Sequence, residues 1–254
     1  MSETVDGKQR GTGLPASIEA AWGLRGRPAK GPRPGLSLER IVDAAIAVAD
    51  ADGLAALSMG RVAAELGAST MSLYRYVTAK EELLELMVDA AHGPPPARTP
   101  PEEGWRAGLS HWAWAQLEAL LRHPWVVRIP IGGPPRTPNA VAWFDQGLAC
   151  MGGTGLAEGE KASAVLLVAG FVRNYATMAA DLAASFLAPE SAPQDAMAAY
   201  GRLLTKLTDR GQFPALHAVI ASGAFDEPDD PDAEFVFGLE RVLDGIDVLV
   251  RSRA

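Results

Sequence analysis

The chain has 254 residues, enough for a sizeable core and one or two domains. Its net charge of −8 excludes a histone-like polycation, and its single cysteine, Cys150, excludes an intramolecular disulfide and a cysteine-cluster metal site. That cysteine usage fits a reducing cytoplasm, and no apolar run of membrane-spanning length or signal-peptide core stands out, so no membrane partner is expected. Hydrophobic residues make up 48% of the chain, rich in alanine and leucine with few β-branched runs, which points to an all-α fold. Residues 1–92 carry ten Lys and Arg against twelve Asp and Glu, and residues 93–254 carry thirteen against nineteen. A contact with nucleic acid would therefore be local and N-terminal.

Residues 1–36 are rich in glycine and proline and form a flexible basic arm, with room for a short helical turn around Ser17–Trp22. Arg25, Arg27, Lys30 and Arg33 follow with no acid between them, and the prolines keep this stretch extended. The tetrapeptide Arg25-Gly26-Arg27-Pro28 is similar to the core of an AT-hook. Its two guanidinium groups can enter a narrow A·T minor groove or make looser phosphate contacts.

Ser37 begins the first folded helix, whose apolar face is Ile41, Ala44, Ala45, Val48 and Ala49 and whose end is Gly53. Asp50 and Asp52 are expected to be a solvated terminus. Ser58 can cap a second helix with Met59, Val62, Ala63 and Leu66 on one face, and Gly67 can end it in the left-handed region. Ser69 can cap a third, short helix rich in hydrogen-bonding tips: Thr70, Ser72, Arg75 and Tyr76. An apolar helix, a glycine turn and a polar second helix make a helix-turn-helix, whose second helix can enter a major groove. Thr78 is expected to cap the next helix, with Glu81 at the capping-box position and Leu83, Leu84, Met87, Val88 and Ala91 facing inward. His92-Gly93-Pro94-Pro95-Pro96 ends it, and the proline-rich stretch to Pro101 divides a unit over 37–92 from one over 101–254.

Residues 37–92 resemble the DNA-binding domain of the TetR family of bacterial transcriptional regulators. The resemblance rests on the Ala44-Ala45 pair, on Ser58 with Val62-Ala63-Ala64-Glu65-Leu66-Gly67, on Leu73-Tyr74-Arg75-Tyr76, and on Lys80-Glu81-Glu82-Leu83. It implies an N-terminal three-helix DNA-binding domain, a C-terminal helical ligand-binding and dimerisation domain, and a homodimer on a palindromic double-stranded operator. By the same resemblance, Ser58, Ser69, Thr70, Met71, Ser72 and Arg75 meet base edges or nearby phosphates, and Tyr74, Tyr76 and Lys80 meet phosphate. Arg75 can pair with guanine or hold a phosphate, and Met71 can touch a thymine methyl. Lys80 also stands beside helix N-terminal N–H groups, which favour anions.

Beyond Pro101, helices are expected over Glu102–Arg122, Asn139–Met151, Ala157–Leu187, Pro193–Arg210, Pro214–Ser222 and Ala233–Arg251, with a short amphipathic piece at Trp125–Ile129. Phe235, Val236, Leu239, Val242, Leu243, Ile246, Leu249 and Val250 form a stripe too broad for one solvent-facing helix, and Gly238 and Gly245 lie seven apart on one face. This last helix resembles that of tetracycline-repressor-like ligand domains, which implies a four-helix dimer interface using Leu239, Val242, Leu243, Ile246 and Leu249. Tryptophans at 105, 112, 114, 125 and 143 cluster with His111 and His123. They pack a core or line a pocket for an apolar or aromatic inducer. The pocket candidates are His111, Trp112, Trp125, Trp143, Gln146, Arg173, Asn174 and Thr177.

The loop 128–136, RIPIGGPPR, contains no histidine, so a magnesium–tetracycline chelate is not expected. Neither is a metal site, a cofactor or an enzyme activity, since no nucleophile elbow, phosphate loop or dinucleotide fingerprint is present. The expected function is a cytoplasmic repressor released from its operator by a small molecule. The alternatives are a helical small-molecule-binding protein without DNA binding, and a regulator with no inducer.

Overall fold

The computed structural model describes residues 12–24, 35–186, 193–226 and 232–253, and among these the regular structure is all helical. The helices are α1 (Ala16–Ala21), α2 (Leu38–Asp52), α3 (Met59–Glu65), α4 (Thr70–Leu73), α5 (Lys80–His92), α6 (Gly104–Arg122), α7 (Pro138–Cys150), α8 (Glu158–Phe186), α9 (Pro193–Leu207), α10 (Pro214–Ala221) and α11 (Ala233–Arg251). Short 3-10 turns occupy Leu54–Ala56, Pro101–Glu103 and Pro124–Arg128.

Three serines set the N-terminal helices. The hydroxyls of Ser37, Ser58 and Ser69 accept the amide protons of Arg40, Arg61 and Ser72 at 3.2, 3.1 and 3.3 Å, each satisfying an orphan donor of its helix. Gly67 closes α3 at φ +61°, and the Ala68 amide returns to the Ala63 carbonyl at 2.9 Å, a left-handed ending that only glycine adopts freely. Helix α5 starts one residue later than expected. Ala79 is the capping position and caps nothing with its side chain. Glu82, not Glu81, reaches back to the amide and hydroxyl of Thr78 and also accepts the Ser17 hydroxyl at 2.7 Å. Burial pushes the Glu82 carboxyl up, but the bonds from Thr78 and Ser17 outweigh it and hold it below the usual range.

Ser17 belongs to α1, so residues 12–24 are not part of a flexible arm. Ile18 is fully buried among the core residues, and the Trp22 indole N–H donates to the Arg136 carbonyl at 2.8 Å. Arg136 in turn forks onto the Glu85 carboxylate of α5 at 2.7 and 2.6 Å. The basic stretch holding Arg25 and Arg27 lies outside the described residues.

The C-terminal helices pack around α6 and α8. A Cβ on Gly147 would stand 2.7 Å from Val165, so glycine is what lets α7 lie against α8 and Trp112. Phe235 of α11 is fully buried between Trp114 of α6 and Phe171 and Tyr175 of α8, with ring centroids 4.6–5.4 Å apart. Contrary to expectation, α8 is long and apolar enough over Glu158–Ala184, at mean hydropathy 1.3, to cross a membrane by length and composition alone. It carries two apolar stripes: Val165, Val168, Val172 and Ala176 enter the core, whereas Leu166, Leu167, Met178 and Leu182 face outward.

Candidate nucleic-acid interface and effector domain

Helix α4 is a single capped turn resting on fully buried Leu73. It turns Met71 (75% exposed), Tyr74 and Arg75 outward, with Thr70 and Ser72 at its margin. The Ser69 and Ser72 hydroxyls are 2.8 Å apart, so Ser69, like Ser58, first serves its helix as a cap. The Tyr76 hydroxyl donates to the Leu36 carbonyl at 2.9 Å, which fixes the start of α2 against α4 and corrects the expectation that it meets phosphate. Exposed Lys80 gives one proton to the Leu57 carbonyl at 2.8 Å, which leaves two ammonium protons and places the charge beside the start of α3.

The eight pocket candidates do not form one wall. Trp112, Trp143 and Gln146 come together between α6 and α7. The Trp112 indole donates to the Trp143 carbonyl at 3.0 Å, the Trp143 indole to Gly93 at 2.9 Å, and the Gln146 amide nitrogen to Pro96 at 2.7 Å. The Gln146 side chain is buried, and its Oε1 has no partner among the described residues. Trp125 lies elsewhere and donates to Asp50 at 2.6 Å. Arg173 points into the Pro124–Arg128 turn and donates to the carbonyls of Val126, Val127 and Ile129 at 3.4, 3.3 and 2.6 Å. A turn of 3-10 helix leaves carbonyls without intrahelical partners, and a guanidinium can satisfy several at once. His111 and Asn174 are exposed, and the Thr177 hydroxyl donates to the Arg173 carbonyl at 2.8 Å, so none of the three joins Trp112, Trp143 and Gln146.

Two acids that sequence reasoning passed over tie the N-terminal helices to the C-terminal ones. Asp89 of α5 accepts the Ala140 amide at 2.9 Å, capping α7 from outside it, and the Asn139 amide donates to the Asp89 carbonyl at 3.0 Å. Asp50 is exposed at the end of α2 as expected, but it is also bonded: its Oδ1 takes the Trp125 indole and lies 2.9 Å from His123 Nδ1. Neither spacing carries a sequence signal, since the partners lie 51 and 75 residues away.

His92 ends α5 edge-on to Trp143, with centroids 5.4 Å apart. Burial lowers its pKa to about 4; Asp89 opposes this, and Arg173 and Arg122 add to it. The folded protein therefore keeps His92 neutral where the unfolded chain, near 6.5, takes up a proton. Stability should fall as pH drops from about 6.5 to 4, by roughly 2–3 kcal/mol at most. Urea unfolding across this window, compared with His92→Phe, checks it: the variant should show the shallower slope.

The expected dimer face needs a correction. Leu239 and Leu243 are at most 1% exposed and pack inside their own chain, whereas Ile246, 4% exposed, still borders the groove between α8 and α11. Gly238 likewise serves the chain's own core, since a Cβ there would meet the Phe171 ring at 2.5 Å. Val242 and Leu249 line an open groove of about 490 Å³ between α8 and α11, together with Ser163, Leu167, Arg241 and Gly245. Phe237 and Val248 flank it, 62% and 71% exposed.

A capped reading helix on a helix-turn-helix, joined to a larger helical unit, defines a DNA-binding regulator with an effector domain. Residues 41–87 match the family model described as bacterial regulatory proteins, tetR family, and residues 96–250 match that of the tetracyclin repressor-like C-terminal domain. The chain is 38% identical over 252 residues to the HTH-type transcriptional repressor DrrR1 of Streptomyces coeruleorubidus, covering 93% of this chain and 87% of that protein. It is similar in structure to apo ActR from Streptomyces coelicolor, with a TM-score of 0.71 and 27% identity over 88% of this chain and all of that one. ActR in complex with actinorhodin aligns with a TM-score of 0.68 and 28% identity, over 87% and 99% of the two chains. The chain belongs to the TetR family, a family of bacterial regulatory proteins, and its function is that of a DNA-binding transcriptional regulator.

Proposed function

We propose that the protein acts in the cytoplasm as a homodimer, placing one α4 in each of two successive major grooves of a palindromic operator, about one helical turn apart. The observation that carries this reading is the Ser69-capped α4 packed on α3, with Arg75 and Met71 turned outward. Thr70, Ser72 and Arg75 read bases, Met71 meets a thymine methyl, and Tyr74 and Lys80 hold phosphates. Arg25 and Arg27 add contacts from the basic stretch. The dimer closes through the outward stripes of α8 and α11. The inducer is a ring-bearing, largely apolar molecule against Trp112 and Trp143, with a hydroxyl or N–H for the Gln146 oxygen. The likeness to ActR, whose structure with actinorhodin is known, supports an aromatic class and makes actinorhodin a rational first probe.

The test is selection of sheared genomic fragments on the pure protein, followed by titration across salt. A palindrome with a steep salt slope is expected; no retained DNA at low salt would end the reading. Arg75→Ala should cost about 1–3 kcal/mol and relax preference at one base position. Lys80→Ala should weaken all sequences alike and reduce the salt slope by about 1. Equal losses on all sequences for Arg75→Ala would assign that side chain to phosphate.

A further inference from the structure

Helix α1 precedes both stretches that match the family models, and its six residues are too few to hold a helix in water alone, so its contacts keep it. It packs on α5, with Ser17 and Ile18 buried. The Ser17 hydroxyl donates to Glu82 at 2.7 Å, and Glu82 also takes the amide and hydroxyl of Thr78, in the link from α4 to α5. Past the other end of α1, the Trp22 indole donates to the Arg136 carbonyl at 2.8 Å, two residues before α7 begins, and the Arg136 guanidinium forks onto Glu85. Glu82, Glu85 and Asp89 stand at i, i+3 and i+7, on one face of α5. The stretch from Asp89 to Gly93 is the effector end of α5, where Asn139, Ala140 and Trp143 attach. Glu82 and Glu85 lie about 6–10 Å nearer the DNA end, on the side of Lys80.

A rod pinned at one end pivots about the pin, and a second pin stops it. We propose that α1 is a brace that supplies the second pin, holding the DNA end of α5 against the entrance to α7, with Ser17 and Trp22 as positioning residues for DNA binding and release. The two ends of the brace differ. Ser17 and Ile18 are at most 1% exposed and stay with α5. Trp22 is 40% exposed and the Arg136 side chain 46%, so the bonds at that end pass to water at little cost, which suits a contact that must break. Thr137 alone separates Arg136 from α7, so a shift of α7 at Trp143 and Gln146 pulls on the breakable end. The proposal rests on the repressor reading above, since the attitude of α5 matters to release only if α4, joined to it through Thr78, reads DNA. A spatial chain of contacts is not yet coupling, and coupling is what the experiment must read.

The experiment is amide hydrogen exchange on the full-length protein, without DNA or inducer, joined to titration of the genomic fragments that the wild type retains. Trp22→Phe keeps a ring and removes the donor to Arg136. It leaves the Ser17–Glu82 bond and the Arg136–Glu85 fork in place, yet should speed exchange over residues 80–86 about tenfold. Ser17→Ala removes the bond to Glu82 and should speed exchange over 140–143, at the other end of the brace, by a similar factor. Both variants should bind the retained fragments about fivefold more weakly, because only molecules with α5 in the competent attitude bind. A loss of folding alone would instead lower the fraction of active protein and leave the affinity of the folded fraction unchanged. Exchange over 80–86 at the wild-type rate in Trp22→Phe would overturn the brace. Faster exchange there with unchanged DNA affinity would overturn its part in release. Failure of the wild-type protein to retain genomic DNA would overturn the repressor reading, and the exchange data would still decide whether α1 joins α5 to the entrance of α7.

Discussion

Aspartate at both Leu167 and Val248 is expected to give a folded monomer that loses operator binding by about a hundredfold or more. Leu167 is 55% exposed and Val248 71% exposed, so within one chain neither change empties the core. Large exposed apolar side chains on two adjacent helices are costly in water and mark a surface that is covered. Two α8 and two α11 helices meeting about a twofold axis would bury Leu166, Leu167, Phe237 and Val248 together, and Gly245, which has open space above its Cα, would let the backbones approach. Four carboxylates in that seam would each lack a partner. The DNA effect follows from the same geometry: a single α4 offers only about 1–3 kcal/mol for each good base contact, and the second copy supplies the rest as an intramolecular event. Light scattering at micromolar protein checks the first half and fragment retention the second. A double variant that still sediments as a dimer would move the interface off this face. Leu239→Ala and Leu243→Ala serve as the contrast. Both side chains are inside the chain, so those changes should cost about 2–5 kcal/mol of folding stability rather than dimer affinity alone.

That contrast shows where the sequence was legible and where it was not. The caps at Ser37, Ser58 and Ser69 and the glycine stop at Gly67 are local chemistry, decided within four residues, and all four stand as expected. Thr78 failed by one position because Ala79 already has the extended backbone of a cap, which moves the reciprocal partner from Glu81 to Glu82. The stripe on α11 was visible, but a helix that is apolar on two sides does not say which side meets its own chain. Leu239 and Phe237 differ only in the face they take, and α8 decides it. Arg173 looked like a pocket residue because a cation in an apolar helix needs a reason to be there. The reason is a row of carbonyls in a turn 44–47 residues away, a distance that no periodicity reports. Asp50 was discounted for the same cause.

Gln146→Leu is expected to stabilise the free protein by about 1 kcal/mol, or roughly 2–4 °C in Tm, and to abolish the response to inducer. A leucine fills much the same volume without a polar atom. It gives up the 2.7 Å bond to the Pro96 carbonyl, but Pro96 is only half-buried and its carbonyl can turn to water. What it removes is a buried amide oxygen with no partner, a state that costs about 1–3 kcal/mol. A protein that keeps such an atom beside two tryptophans spends stability on a group that a ligand donor can satisfy, and the ligand then gains what the free protein lost. The indole N–H groups of Trp112 and Trp143 cannot fill that role, because each already donates to a carbonyl, so those rings offer only their faces and edges. Selectivity between two flat ligands of equal size should therefore fall on Gln146, with the one carrying a correctly placed hydroxyl or N–H favoured by a factor that the leucine variant erases. Thermal shift against fused-ring aromatics, beginning with actinorhodin, reads both effects on one plate. If Gln146→Leu melts lower than wild type and still binds the same compounds, the orphan oxygen is held by water and the inducer contacts lie elsewhere in the domain.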